Sequence, residues 1–302
     1  MEEMTTGLCP KCGHTLQIPA ELERFSCMYC GERLTKRQLL MQPEEASCSE
    51  EDCAVSFDHA VSRLGWCVQN FRGYQKKILR DAFFEAFETY ETGCAPVIQE
   101  LNSGVRPERQ TELLDRAAEA MLDELAAGWM GKNDMEDEKV ILAIFFVPMV
   151  RKLQLPVSEE FVSQLQKKWV ERYPKSPFYL GDYESISGGF RKKFLGLCFI
   201  TTAVCQELGK PDDCAELTAF RAFRDGYLAA QPDGEALIRE YYNIAPGIVT
   251  CINTCSDRHA SYERIREQYL TPCYEDLLAG RNADCKTRYV QMVRDLEREY
   301  LN

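Results

Sequence analysis

The sequence predicts a mainly α protein, with a small β module at its N-terminus followed by an all-helical body. Three observations carry this. Two Cys-x-x-Cys pairs, Cys9/Cys12 and Cys27/Cys30, stand near the start with residues 13–26 between them. At that spacing two tight turns can offer four sulfurs to one tetrahedral ion. From His59 onward apolar residues recur with the 3.6-residue period of amphipathic helices. Outside the N-terminal module no alternating apolar–polar run of strand type stands out. The chain of 302 residues is long enough for two domains, or for one large domain plus the module. Composition and periodicity divide it into a module at residues 1–40, an acidic linker at 41–58, and helical lobes at 59–187 and 188–302.

The module runs from Cys9 to Leu34 as CPKCGHTLQIPAELERFSCMYCGERL. Gly13 and Gly31 follow the two pairs and supply the positive φ that such turns need after their second ligand. Pro10 pre-sets the first turn. The stretch resembles a zinc ribbon of the CPxCG type. The resemblance implies one structural Zn2+ held by Cys9, Cys12, Cys27 and Cys30, because four thiolates close the shell that a catalytic zinc leaves open. Iron in a rubredoxin-like site uses similar turns and stays open as an alternative. So short a segment cannot build a self-sufficient core, so metal binding here is folding energy, about 10–16 kcal/mol for comparable peptides. His14 lies beside the first turn and is expected to be an exposed turn residue, since four cysteines already suffice.

Charge bounds the partners. Residues 1–40 carry five acids (Glu2, Glu3, Glu21, Glu23, Glu32) and five bases (Lys11, Arg24, Arg33, Lys36, Arg37), which makes no phosphate-binding field. The formal net charge of the whole chain is −12, so it should repel nucleic acid and anionic membranes. The start, MEEMTTGL, has neither the basic nor the apolar region of a signal peptide. The apolar run from Val140 to Val150 is too short for a bilayer and is interrupted by Pro148. The 15 cysteines, with no export signal and metal-type spacing at the front, fit a reducing cytoplasm, where most behave as small buried hydrophobes.

Each later element has its own signal. Thr35 to Met41 is expected to begin a short helix. Residues 42–58 hold six acids, one proline and no base, which reads as a solvated linker. Cys48 and Cys53 within it are too loosely spaced for a second metal pair and read as spectator thiols. Leu79, Phe83, Phe87 and Tyr90 form one helical stripe; Leu114, Ala118, Met121 and Leu125 form another, entered after Pro107. Glu138 to Leu153 is apolar nearly all round and predicts a central helix that Pro148 kinks or breaks. Ser158 is placed as an N-cap, with Glu159 and Glu160 in the first turn and Phe161, Leu165 and Trp169 facing inward. Residues 173–189, rich in Pro and Gly, form the expected boundary between the lobes. Phe190 to Leu208 predicts a buried helix in which Gly196 permits close approach of another backbone. Asp212 or Asp213 is placed as a cap, and Pro246 in the first turn of a long helix reaching Tyr269. Residues 274–280 read as a short element, and Cys285 to Leu301 as the last helix, with Tyr289, Val293, Leu296 and Tyr300 in register.

Cys198-Phe199-Ile200-Thr201-Thr202-Ala203 resembles the CFIATA motif that opens a bacterial C-terminal domain called the CFI-box. The likeness continues through Phe223-Arg224-Asp225 and Tyr241-Tyr242 with Pro246, over roughly residues 196–272. Two departures stand out: Thr201 replaces the usual alanine, and Val204-Cys205 replaces the aromatic-glycine that often follows the motif. The resemblance implies an architecture shared with bacterial proteins that pair a zinc ribbon with this lobe, and it brings no activity with it. Arg224 beside Asp225 is expected to be a buried clamp between helices, with a ligand contact as the other reading.

Two constellations carry candidate chemistry. Cys251, Cys255 and His259 recur at i, i+4 and i+8, one face of one helix, where they could form a Cys–His dyad or part of a second metal site completed by Cys273 or Cys285. The competing reading is a packing seam. Cys198 could act as a nucleophile with His259 brought near by the fold, but it sits among Leu197, Phe199 and Ile200, and a reactive thiol needs an electropositive, partly exposed setting. Thr201 and Thr202 are expected to bond back to the preceding turn. No P-loop, GxGxxG after a strand, HExxH or GxSxG occurs. The sequence thus points to a zinc-binding, non-catalytic protein-interaction or assembly protein that docks a protein partner through its ribbon. A thiol- or metal-dependent enzyme using Cys198 or the Cys251/Cys255/His259 face, and nucleic-acid binding by the ribbon, are the alternatives.

Overall fold

The computed structural model describes residues 4–9, 15–29, 31–36, 39, 50–191, 198–255 and 257–302. The chain is mainly α with a small β part at its N-terminus, and it divides into two compact units, Met1–Val55 and Ser56–Asn302.

The first unit is built on two antiparallel hairpins. β1 (Met4–Leu8) pairs with β2 (Thr15–Pro19), with Thr5 opposite Ile18 and Gly7 opposite Leu16. β3 (Arg24–Ser26) pairs with β4 (Arg33–Thr35), with Phe25 opposite Leu34. Along β2 burial alternates, so Leu16 and Ile18 turn inward while Thr15, Gln17 and Pro19 face out, as the two-residue strand period requires. Among the described residues, Leu16, Ile18, Leu34, Leu39, Cys9 and Cys27 are buried in one cluster, with Phe25 packed against it. Gly7 has a packing reason: a Cβ there would lie 2.2 Å from the Leu39 carbonyl oxygen. A module of this length buries little apolar surface against the chain entropy of ordering it.

α1 (Glu50–Leu64) begins within the stretch predicted as a linker. Glu50, Glu51 and Asp52 occupy its first turn, where carboxylates favour the helix dipole, and Cys53 and Phe57 are buried. Acidity alone does not separate a solvated linker from an acidic helix start. Residues 41–49, including Cys48, lie outside the described residues, as does most of the short helix expected at 35–41.

In the second unit, α2 (Trp66–Gln69) and a 3-10 turn at Tyr74–Lys77 lead to α3 (Phe83–Gly104), which buries Phe83, Phe87, Tyr90, Val97 and Leu101. α4 (Gln110–Ala127) buries the predicted Leu114, Ala118, Met121 and Leu125 stripe. α5 (Lys132–Ile141) passes through a π-turn at Leu142–Phe146 into α6 (Val147–Lys152). The π-turn resolves the Pro148 problem. Proline has no N–H to donate and its ring crowds the carbonyl four residues back, and the wider turn just before it admits the ring within a continuous helical path. Residues 141–147 are all buried, as the apolar run predicts. α7 (Ser158–Arg172) turns Phe161, Leu165 and Trp169 inward and packs along α4. Its N-cap is Val157; Ser158 is itself buried, donating from Oγ to the Val150 carbonyl at 2.7 Å and accepting the Leu155 N–H at 3.2 Å.

Residues 173–182 are held by α7 on their way to α8 (Tyr183–Arg191): Trp169 Nε1 donates to the Ser176 carbonyl and Gln166 Nε2 to that of Phe178, both at 2.7 Å. Phe178, Ile186 and Phe190 join the same buried cluster as Phe83 and Phe145, and Phe190 stacks on Phe83 at 4.2 Å between ring centroids. The cluster therefore takes members from both stretches predicted as lobes, 59–187 and 188–302. Residues 192–197, including Phe194, Gly196 and Leu197, lie outside the described residues.

The remaining helices are α9 (Phe199–Glu207), α10 (Ala215–Ala222) with a π-turn at Phe223–Leu228, and α11 (Gly234–Thr254). Then come α12 (Arg258–Ile265) with a π-turn at Arg266–Leu270, α13 (Thr271–Leu278) and α14 (Asn282–Tyr300). α14 buries Cys285, Met292, Val293 and Leu296. The cap of α10 is Cys214, while Asp212 binds Arg221 at 2.8 Å. Pro246 lies inside α11, not in a first turn, beside a close crossing of two backbones. There Asn243 accepts the Arg80 N–H on its carbonyl and the Asp81 N–H on its side chain, both at 3.0 Å. A Cβ on Gly247 would sit 1.9 Å from the Ile78 carbonyl oxygen. Gly247→Ala is therefore expected to destabilise the fold by about 1–3 kcal/mol through overpacking, read as a lower urea midpoint. An unchanged midpoint would rule out the tight crossing. No described helix is long and apolar enough to cross a membrane.

Candidate functional site

Of the four cysteines predicted as metal ligands, Cys9 and Cys27 are described; Cys12 and Cys30 lie outside the described residues, as does His14. Cys9 directly follows β1 and Cys27 directly follows β3, so each hairpin delivers one thiol. The two are 1% and 2% exposed and belong to one buried cluster. The turn after Cys27 is closed at both ends. Cys27 N–H donates to the Glu32 carbonyl at 2.8 Å, and Gly31 N–H donates to the Cys27 carbonyl at 2.9 Å. Gly31 has φ of 74°, the left-handed conformation its position after the Cys-x-x-Cys pair requires. Two buried soft donors, one of them (Cys27) on a closed turn, fit a thiolate-bound ion. Cys9, Cys12, Cys27 and Cys30 would hold it, and its chemistry would be structural.

Cys198, which opens the stretch 198–203, stands at the N-cap of α9 and is 4% exposed. Arg224 Nη1 donates to Cys198 Sγ at 3.8 Å and to Tyr242 Oη at 3.2 Å, while its Nε and Nη2 hold the Asp225 carboxylate at 2.6 and 2.8 Å. Arg224 thus joins the cap of α9, its own π-turn and α11, the geometry of a clamp. Its guanidinium holds the Asp225 carboxyl below the usual carboxylate range. Below it, Ile200 N–H donates to Tyr241 Oη at 2.9 Å, Tyr289 Oη donates to Tyr241 Oη at 3.3 Å, and Thr201 Oγ1 meets Tyr289 Oη at 3.2 Å. Thr201 therefore bonds across to α14 rather than back along its own helix. Thr202 Oγ1 is buried without a hydrogen-bond partner among the described residues.

This arrangement makes Cys198 a poor nucleophile. Burial pushes its thiol up from the ordinary cysteine value, against the opposing pull of Arg224 and Arg221. The adjoining cavity, lined by Cys198, Phe220, Arg224, Leu237, Tyr289 and Val293 among others, holds about 60 Å³. His259 does not approach Cys198. It is 64% exposed in its side chain and faces Glu207 at 3.4 Å, at the opposite end of α9.

The predicted Cys251/Cys255/His259 face is not a single helix face. α11 ends at Thr254, and Cys255 is extended, with ψ of 151°, and bridges Phe178 as a β-bridge partner. His259 belongs to α12. A long-range backbone pairing thus ends the helix where a sequence window sees only continued periodicity. Cys255 Sγ donates to the Cys251 carbonyl at 3.2 Å, and burial pushes both thiols up. Cys273 and Cys285, the residues expected to complete a site there, are fully buried against each other, with Cys273 Sγ donating to the Cys285 carbonyl at 3.9 Å.

Sequence reasoning missed a different cluster. Among the described residues, Cys205, Cys214 and Glu216 bring their ligand atoms within 4.8 Å of one another. The two sulfurs are 3.8 Å apart, and Lys210 Nζ hydrogen-bonds Glu216. Burial, and then Cys214 beside it, push the Cys205 thiol up to about 12. Eight residues separate the two cysteines, which matches no motif. The available signal was Gly209 followed by Pro211, a helix stop that turns the chain back on itself.

No protein-family model, no curated protein and no solved structure matches the chain.

Proposed function

We propose that this protein is a zinc-binding, non-catalytic interaction or assembly protein. Its N-terminal unit holds one structural Zn2+ through Cys9, Cys12, Cys27 and Cys30 and serves as the element that docks a protein partner. The observation that carries this reading is the burial of Cys9 and Cys27 in one cluster, with the turn after Cys27 closed by backbone hydrogen bonds. Such a core needs a staple, and thiolates at that spacing bind zinc. The resemblance to a zinc ribbon followed by a CFI-box lobe, and a cytoplasmic setting for so many reduced thiols, belong to the same proposal. The test is native mass spectrometry of the full chain under reducing conditions, comparing wild type with Cys9→Ser/Cys27→Ser. Loss of one zinc equivalent supports the assignment, and unchanged zinc content ends it.

The enzyme reading is weaker because Cys198 and Cys251 are buried and Cys255 is partly buried. Burial pushes the thiols of Cys198, Cys251 and Cys255 up, so each is expected to react with iodoacetamide near neutral pH more slowly than an unfolded-chain cysteine. Peptide-level labelling checks this, and fast, selective modification of Cys198 or Cys255 would revive a thiol enzyme. Nucleic-acid binding is disfavoured by the balanced charge of residues 1–40 and the net charge of −12.

A further inference from the structure

We propose that Cys205, Cys214 and Glu216 form a second divalent-metal site, one that fits Zn2+ and leaves a coordination position open to the adjoining cavity. The site is assembled at a helix reversal. α9 presents Cys205 two residues before its last residue, Glu207. The chain then reverses through Gly209, with φ of 68°, and Lys210 N–H returns to the Cys205 carbonyl at 2.8 Å. Cys214 caps α10 and Glu216 stands in its first turn. The reversal therefore carries both later donors back to the first.

The distances suit a metal better than a disulfide. Two sulfurs each about 2.3 Å from a tetrahedral zinc stand about 3.8 Å apart, the edge of that tetrahedron. The observed Sγ–Sγ separation is 3.8 Å, against about 2.05 Å for a disulfide. The Glu216 ligand atom lies within 4.8 Å of both sulfurs. A carboxylate has two oxygens, so Lys210 can keep its hydrogen bond to Oε1 while Oε2 turns to the ion, the outer-sphere support that metal-bound carboxylates usually have. Beside the cluster a cavity of about 210 Å³, lined in part by Cys205, Lys210, Glu216, Arg266 and Tyr274, provides space for the fourth ligand. Two thiolates and a carboxylate make three protein ligands, the number that zinc sites with an exchangeable position use. On binding, two sulfur–metal bonds form and two thiol protons leave to solvent.

The test uses the full, reduced chain, stripped of metal and then loaded with Zn2+ alone, with thiol alkylation read cysteine by cysteine. Cys214, which is partly exposed, is expected to label in the metal-free protein and to lose that labelling on zinc loading. Native mass spectrometry is expected to count two zinc ions in wild type and one in Cys214→Ser and in Glu216→Ala, the latter leaving both thiols in place. The labelling of Cys9 and Cys27, followed in the same spectra, reports separately on the N-terminal ion. Labelling of Cys214 at the same rate with and without zinc would overturn the proposal, as would a Cys205–Cys214 disulfide in protein that carries its full zinc.

Discussion

Serine at positions 9 and 27 is expected to unfold the N-terminal hairpins while the helical unit stays folded. In comparable zinc peptides the metal contributes about 10–16 kcal/mol, more than so small a core can supply. The described cluster holds Leu16, Ile18, Leu34 and Leu39 besides the two cysteines. Without the two thiols the turn after Cys27 keeps its hydrogen bonds to Glu32 and Gly31 but loses the cross-link that the proposed ion would make between the hairpins. Amide hydrogen exchange is the direct measurement. Residues 4–8, 15–19 and 24–26 should exchange as in an unfolded chain, and a chelator applied to wild type should produce the same pattern. The second unit, with its own large buried cluster, should keep its protection. Strands that stay protected in the double mutant, or after zinc is removed, would mean that packing alone holds the module.

Arg72→Met is expected to cost the helical unit about 3–5 kcal/mol, because it strands a buried carboxylate. Glu138 is 0% exposed. Its Oε1 accepts Arg72 Nε at 2.7 Å and its Oε2 accepts Trp129 Nε1, also at 2.7 Å. Arg72 itself is 43% exposed in its side chain and also donates to the Gly128 carbonyl at 3.2 Å. The pair is therefore asymmetric. Loss of the arginine leaves a charge with no access to water, whereas Glu138→Leu leaves an arginine that water can reach. The glutamate substitution should cost less, about 1–3 kcal/mol, chiefly from the unpaired Trp129 N–H. The double substitution Arg72→Met/Glu138→Leu should be more stable than Arg72→Met alone, since no stranded charge remains. Urea unfolding of the three variants forms the cycle. If Glu138→Leu proved as costly as Arg72→Met, burial of the carboxylate would not be the source of the effect.

Much of the architecture is local and could be read from the chain. Leu114, Ala118, Met121 and Leu125, Phe161, Leu165 and Trp169, and the run through Val140–Val150 follow from periodicity and apolar length, properties of short windows. The paired cysteines and Gly31 are equally local, since a turn and its glycine are set within five residues. What the windows missed involved distant partners. Phe178 pairs with Cys255 and ends α11, which dissolves the face on which Cys251, Cys255 and His259 line up in sequence. Phe190 stacks on Phe83, which ties the far side of the proline- and glycine-rich connector to α3. Cys198 meets Arg224, 26 residues on, and both are buried, so the thiol that opens the motif is taken up in packing that its local sequence does not show.

Sequence by itself determined the helical class, the helix stripes and the candidate thiolate turns, because each depends on backbone period and turn chemistry over a few residues. Tertiary structure alone decided which cysteines meet: it set His259 at the far end of α9 from Cys198 and on a different helix from Cys251, and it joined Cys205 to Cys214 and Glu216. The physical reason is that side-chain chemistry at a site depends on distance and burial. Both are fixed by where helices stop and how they pack, which no periodicity along the chain encodes.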